Sequence, residues 1–402
     1  MHTLAFILGR EPALSLAEIK AVFENHSFDF TFSYVSRDVA LIKSRHVVDA
    51  HALMEALGGT IKIGTVLPVL KGTTPDPAEL VTELRNAARA KKGKFSFGIS
   101  GYGVTVPVRL GLECKRLLRE GGVSARYVEG RGAALTAPQI KNYKLDSEGA
   151  ELLLIKTNNG VAVAHMQAVQ PFERFSERDY GRPGRDAKSG MLPPKVARMM
   201  VNLAQCPHHG LLIDPFCGSG TILTEAALMG YTHIAGSDIS EKAVNDTLKN
   251  IAWVVKKRTE DIVVKKFDAR RIAELFQKNS VSAVVTEPLL GPPLKGRENE
   301  KRIRDVGYEL KKLYLDSLRA LRAILKKNGR VVLIVPALRF DGGWISPLTQ
   351  HDFEKNEWFL EEPLPVEYLS LLQKEKIPLP ALWWHRPDQR LGRQIIILKK
   401  NS

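Results

Sequence analysis

The sequence predicts an α/β protein whose C-terminal half is an open, mostly parallel sheet, preceded by two smaller α/β units. Three observations carry this. Residues 211–230 read LLIDPFCGSGTILTEAALMG: an apolar run into Asp214, a turn built on Gly218 and Gly220, then a helix-forming stretch that stops at Gly230. An acid closes each of four successive apolar runs, namely Asp214, Asp238, Asp268 and Glu287. In a parallel sheet this sets four carboxylates along one rim, where open α/β sheets bind ligands. Finally, residues 3–65 alternate as β-α-β-β-α-β, the ferredoxin-like pattern.

From the N-terminus, residues 4–8 are predicted as a strand. A helix over 15–23 is predicted to begin at a Ser15 cap, with Glu18 three residues on. Residues 28–34 and 39–43 make a hairpin, 47–57 a helix stopped by Gly58-Gly59, and 60–65 a strand. No catalytic role is expected in this 1–65 unit. In a second unit, 66–170, residues 77–90 and 110–120 read as helices. Residues 94–100 and 125–128 read as strands, and 151–156 with 161–167 as a hairpin turning at Asn158-Asn159-Gly160. Lys91, Lys92, Lys94, Arg126, Arg131 and Lys141 are its candidate phosphate contacts, interleaved with Tyr102, Tyr127 and Tyr143. Phe95 and Phe97, alternating along a strand, are expected in the core instead.

Residues 171–190 are charged, rich in Gly and Arg and without periodicity, so they are predicted as a linker before a third domain, 191–402. Met191-Leu192-Pro193-Pro194 opens a helix over 195–204. Adjacent His208 and His209 lack further ligand residues and are expected to be structural. Further strands are predicted at 233–237, 262–267, 281–286 and 330–335, with a helix over 305–325. A Gly/Pro-rich loop, 289–300, is a candidate lid. A hairpin of 379–384 and 394–399 is expected to finish the sheet.

A length of 402 residues fits two or three domains. No run of 18 apolar residues occurs, so no membrane span is expected. The opening residues read as a strand rather than a signal peptide. Three dispersed cysteines support neither a disulfide framework nor a zinc site, and point to a reducing, cytoplasmic setting. The formal charge of +15 favours a polyanionic partner.

The two glycines let the backbone pass close to a nucleotide-like cofactor, and Asp238, about 20 residues on, can accept ribose hydroxyls. DPFCGSGT, Asp238-Ile239-Ser240 and Phe267-Asp268-Ala269 resemble the cofactor motifs of S-adenosylmethionine-dependent methyltransferases acting on exocyclic amines. That resemblance implies a Rossmann-like domain with cofactor contacts from Asp214, Phe216, Gly218, Gly220, Thr221, Asp238, Ile239, Asp268 and Ala269. It places the segment running from Arg182-Pro183-Gly184 to Leu192-Pro193-Pro194 against the methionine end. Methyl transfer from a sulfonium needs no metal; catalysis is positioning and electrostatics. The stretch corresponding to the family's amine-binding motif of a polar residue, two prolines and an aromatic is Glu287-Pro288-Leu289-Leu290. A carboxylate only accepts hydrogen bonds, and guanine's N1–H and N2 amine are adjacent donors, which favours guanine N2. With Leu290 in the aromatic's place, either the leucine serves as an apolar face, Phe216 or another ring takes over, or activity is lost.

RGAALTAPQIKNYKL resembles part of a THUMP domain, an RNA-binding module, and LGREPALSLAEIKAVF resembles the start of a tRNA guanine methyltransferase family. The whole chain resembles the THUMP-containing tRNA guanosine-10 N2-methyltransferases. The resemblance implies a tRNA substrate and N2-methylguanosine as product. Two alternatives stand beside it: a DNA amino methyltransferase, and a catalytically weakened RNA-binding protein that keeps the cofactor fold.

Overall fold

The computed structural model describes residues 2–68, 75–89, 93–130, 132–185, 191–255, 262–294, 296, 298–340, 343–386 and 389–400. They form two compact units. The first comprises Met1–Pro12, Ser27–Ala56 and Thr60–Phe172; the second comprises Ala13–His26, Leu57–Gly59 and Glu173–Ser402. Strand β1 (His2–Leu8) therefore belongs to the first unit, and nearly all of α1 (Pro12–Asn25) to the second.

In the first unit, β2 (Phe30–Val35), β3 (Val39–Ser44), α2 (Ala50–Ala56) and β4 (Thr60–Val66) follow. The antiparallel order β2-β3-β1-β4 is the ferredoxin-like one that the sequence pattern predicts. Next come α3 (Pro77–Arg89), β5 (Phe95–Tyr102), α4 (Val108–Glu120), β6 (Ala125–Val128), α5 (Ala137–Asn142), β7 (Ala150–Thr157) and β8 (Gly160–Val169). Because β8 pairs with β4 as well as β7, residues 1–65 and 66–170 build one eight-stranded sheet. Phe95 and Phe97 are buried in its core, as their alternation predicts. Helix α5 is absent from the sequence reading. It has only six residues, too few for a period, and starts at a Thr136–Gln139 capping box.

The second unit continues with α6 (Phe172–Tyr180), α7 (Pro194–Leu203), β9 (Leu212–Asp214), α8 (Thr221–Leu228), β10 (Ile234–Asp238), α9 (Glu241–Val254) and β11 (Ile262–Lys266). A 3-10 turn, Ala269–Glu274, leads to β12 (Val281–Thr286), α10 (Glu300–Ile324) and β13 (Leu325–Phe340). Then come β14 (Gly343–Ile345), α11 (Gln350–Lys355), β15 (Trp358–Glu361), α12 (Val366–Leu372), β16 (Leu382–His385) and β17 (Leu391–Lys400). The sheet order is β11-β10-β9-β12-β13-β17-β15, parallel from β11 to β13 and antiparallel at β17. Every residue of β12, VSAVVT, is buried, as expected of a central parallel strand covered on both faces. Ile303, Val306, Leu310, Tyr314, Leu318 and Leu321 of α10 face the strand residues Val284, Val331 and Val335 in one core.

Three expectations are corrected. Residues 172–180, read as part of a linker, are helical; Phe175 is their one buried side chain, which is too little to give a period. The terminal hairpin exists as β16–β17, but β16 lies off the main path and the unforeseen β15, anchored by buried Trp358, forms the edge. Helix α1 starts at Pro12, which suits a first turn, so Ser15 and Glu18 are not its cap. They make tertiary bonds instead. Ser15 Oγ donates to the Gly59 carbonyl (2.9 Å), and Glu18 accepts from the N–H groups of Gly58 (2.7 Å) and Gly59 (2.8 Å) and from Asn202 Nδ2 (2.7 Å). Burial pushes the Glu18 carboxyl up to about 7.

Truncating Glu18 would leave these donors buried and unpaired. Glu18→Ala is expected to lower the unfolding free energy by about 2–4 kcal/mol in urea titrations, on the scale of lost buried hydrogen bonds. A change within about 0.5 kcal/mol, ordinary for surface substitutions, would contradict the assignment.

Candidate active site

The turn after β9 is held by its neighbours rather than by its own sequence alone. Gly218 and Gly220 sit at φ +54° and +81°, where a side chain is strained. A Cβ on Gly220 would also lie 2.7 Å from Thr247 Cγ2. Thr247 Oγ1 donates to the Gly218 carbonyl (2.7 Å), and Asn250 Nδ2 donates to the carbonyls of Ser219 (2.7 Å) and Gly184 (2.8 Å). Asn250 Oδ1 accepts the Gly184 N–H (2.7 Å). Thr247 and Asn250 were not singled out from the sequence. Their signal is that polar residues occupy the buried face of α9.

The four acids do different work. Asp214 is buried; its Oδ1 accepts from Phe216 N–H (3.1 Å) and Thr286 Oγ1 (2.6 Å), so it ties β9 to the end of β12. Desolvation, aided by the nearby Asp238 and Glu287 charges, pushes it up to about 7. It is therefore a support beneath the loop rather than an exposed cofactor contact. Asp238 is part-exposed and accepts from Gly218 N–H (3.0 Å) and Ser240 N–H (2.8 Å). Its neighbour Ile239 is exposed. Asp268 is held by Arg270, through Nη2 (2.5 Å), Nε and the backbone N–H, which keeps its carboxyl below the usual range. Ala269 is buried, as are Leu192 and Thr221, while Phe216 and Pro193 are partly exposed.

Glu287 meets a partner that the sequence did not reveal. Its Oε1 accepts from Arg393 Nε at 2.6 Å, and its Oε2 has no hydrogen bond among the described residues. The Arg393 guanidinium lies 4.8 Å over the Trp384 ring, its cross-strand neighbour, and Arg386 lies 5.5 Å over the same ring. Burial pushes the Glu287 carboxyl up, while Arg393 and Arg386 oppose that shift. Pro288 is buried, Leu290 is partly exposed and Leu289 is exposed. The beginning of the candidate lid is anchored: Tyr314 Oη donates to the Leu289 carbonyl, and Gly291 at φ +98° abuts Val306 and Leu310.

A cavity of about 260 Å³ lies between the strand ends and the 3-10 turn, with Asp214 and Pro215 in its wall. Its walls include Ile213, Ala235, Val263, Ile272, Leu275 and Phe276. Its polar lining is Asp214, His233, Ser237 and Lys265; Asp238, Asp268 and Glu287 take no part in it.

In the first unit Lys94 and Arg126 are exposed, while Lys141 pairs with Asp146 (2.5 Å). Lys91, Lys92 and Arg131 lie outside the described residues. The interleaved rings are engaged locally: Arg126 sits over Tyr143, and Tyr127 packs on Phe97.

A family model described as UPF0020, an RMKL-like methyltransferase domain, matches residues 182–340. The tRNA (guanine(10)-N2)-dimethyltransferase of Pyrococcus abyssi is 29% identical over 289 residues, 71% of this chain and 77% of that protein. A Methanothermococcus thermolithotrophicus protein named "Probable tRNA (guanine(10)-N2)-dimethyltransferase" is 36% identical over 123 residues, 29% of this chain and 74% of that protein. The chain belongs to this methyltransferase family. TrmN from Thermus thermophilus shares the fold, with a TM-score of 0.52 at 16% identity, covering 99% of this chain and 100% of that one.

The methyltransferase uses S-adenosylmethionine, and its residues fit that cofactor. The glycine turn leaves open space where a Gly218 Cβ would stand, and Asp238 lies at the next strand end. Among the described residues no helix is long and apolar enough to cross a membrane, and no His, Cys, Asp and Glu group could hold a metal.

Asp214 yields a pH test. Its folded pKa exceeds its unfolded value, so its contribution to stability is complete below about pH 4 and is lost as pH rises through about 7. Asp214→Asn cannot titrate. Between about pH 4 and pH 8 the stability difference should move in the variant's favour by about 2–4 kcal/mol, measured by denaturant unfolding. A difference independent of pH would refute the buried, raised carboxyl.

Proposed function

We propose that the methyltransferase transfers a methyl group from S-adenosylmethionine to the exocyclic N2 of guanosine 10 in tRNA, in the cytoplasm. The observation that carries the choice of base is Glu287, an acceptor at the rim end of β12 with one oxygen fixed by Arg393 and the other uncommitted. When bound, the cofactor supplies an electrophilic methyl. Glu287 Oε2 accepts a hydrogen of the N2 amine and orients its lone pair toward the transfer, while Pro288 and Leu290 form the apolar floor under the base. The Trp384 ring holds Arg393 and Arg386 rather than a base, so Leu290 and Phe216 are the apolar surfaces left to the guanine. Asp238 accepts the ribose hydroxyls, and the segment with Leu192 and Pro193 lies by the methionine end.

Residues 66–170 act as a THUMP-like RNA-binding module, with Lys94, Arg126 and Lys141 among its phosphate contacts. The names of the relatives support tRNA over DNA. The net charge of +15 supports a polyanionic substrate.

Mass spectrometry of nucleosides from a tRNA transcript treated with enzyme and cofactor should show N2-methylguanosine. A transcript with adenosine at position 10 should give none. Glu287→Gln adds a donor facing guanine's donor edge and should lower methylation by about 10²–10³-fold, comparable to loss of one preorganised polar contact. S-adenosylhomocysteine affinity should barely change. Wild-type turnover by Glu287→Gln would assign the amine to another group, and an inert wild type on every tRNA would favour the non-catalytic reading.

A further inference from the structure

Three arginines converge on the first turns of α8. Glu225, four residues after Thr221 and so on the same helical face, accepts from Arg178 Nε (2.5 Å) and Nη2 (3.3 Å) and from Arg198 Nε (2.8 Å). Those two arginines occupy both oxygens of its carboxylate. Arg182 has a longer ion pair instead, with Asp179. Its side chain is 4% exposed, and its Nη1 donates to Thr221 Oγ1, the first residue of α8. Among the described residues its Nε and Nη2 are buried without hydrogen-bond partners; Asp179 Oδ1 stands 3.7 Å from Nη2, beyond hydrogen-bond reach.

Burial works against the charge of Arg182 and pushes its pKa down. Orphaned donors on a buried cation are costly, so the position calls for a partner that the described residues do not supply. Its surroundings say what kind. Nε and Nη2 are the two donors on one side of a guanidinium, the fork that matches a carboxylate bidentately. Thr221 begins a helix, whose free N–H groups and dipole also favour an anion. The segment is tied to the glycine turn, because Asn250 bonds both Gly184 and Ser219. S-adenosylmethionine carries a sulfonium, an ammonium and one anion, its α-carboxylate.

We propose that Arg182 binds the α-carboxylate of S-adenosylmethionine through Nε and Nη2, fixing the methionine end against the start of α8. Arg182 is then a positioning residue for the methyl group. The inference rests on cofactor use alone and is independent of which base is methylated.

Calorimetry on the full chain can test this with S-adenosylhomocysteine and its decarboxylated analogue, S-adenosyl-3-thiopropylamine, which differ only in the carboxylate. The wild type should prefer the former by about 10- to 100-fold, the range for a charge-assisted fork. Arg182→Met should bind both at the level of the analogue, and Arg182→Lys should keep a reduced preference. Equal affinity of the wild type for both ligands would overturn the proposal, as would an Arg182→Met variant that keeps the wild-type preference. If Arg182→Met loses its fold, an undiminished preference in Arg182→Lys overturns it instead. Neither outcome bears on Glu287, so failure here leaves the base assignment standing.

Discussion

The rim of the methyltransferase sheet depends on one buried carboxyl. Asp214 joins the last residue of β9 to the turn after it, through Phe216 N–H, and to the last residue of β12, through Thr286 Oγ1. These strands are neighbours in the sheet, and each delivers one part of the candidate site: β9 the glycine turn, β12 the acid Glu287. A single bonded group thus sets the level at which the glycine turn and the proposed amine acceptor emerge. The cost of burying it appears in its raised pKa, and its like-charged neighbours Asp238 and Glu287 add to that cost.

Around this point the second unit uses polar groups to fix backbone where glycine leaves it free. Thr247 and Asn250 hold the turn from α9, and Asn250 also holds Gly184, so residues distant in sequence share one side chain. Glu18 does the same for Gly58 and Gly59. In both places flexible glycines become rigid because a buried amide or carboxylate satisfies their backbone groups. The Arg178–Glu225–Arg198 cluster extends the pattern to the start of α8.

Much of this architecture was legible in the sequence because it is local. DPFCGSGT announces a strand, a turn and a helix by itself, and the acids mark strand ends without reference to anything else. Phe95 and Phe97 declared the core by alternation. The misread parts are those whose meaning is tertiary. Ser15 and Glu18 have the spacing of a capping box, but their partners lie at Gly58, Gly59 and Asn202. Glu287 looked like a free carboxylate because nothing near it in sequence is basic; Arg393 lies 106 residues away. Arg182 falls in a charged stretch whose composition resembles a linker. Its burial and its bond to Thr221 were not legible there, even though family resemblance placed its segment by the methionine end. No periodicity marks a buried ion, since its partner is chosen by the fold and not by the neighbouring chain.

The Glu287–Arg393 pair has a consequence for how the enzyme comes into being. Glu287 ends the fourth parallel strand, whereas Arg393 belongs to β17, the final strand in chain order, which must insert between β13 and β15. Until that insertion the carboxylate lacks its hydrogen-bonded cation, and only Arg386 is there to oppose its burial and to cover the Trp384 face. The cofactor half of the sheet can close earlier, from contiguous strands and helices, but the acceptor half is set only when the last strand docks. The environment of the proposed amine acceptor therefore depends on the last strand of the chain, whereas the glycine turn is built from contiguous elements.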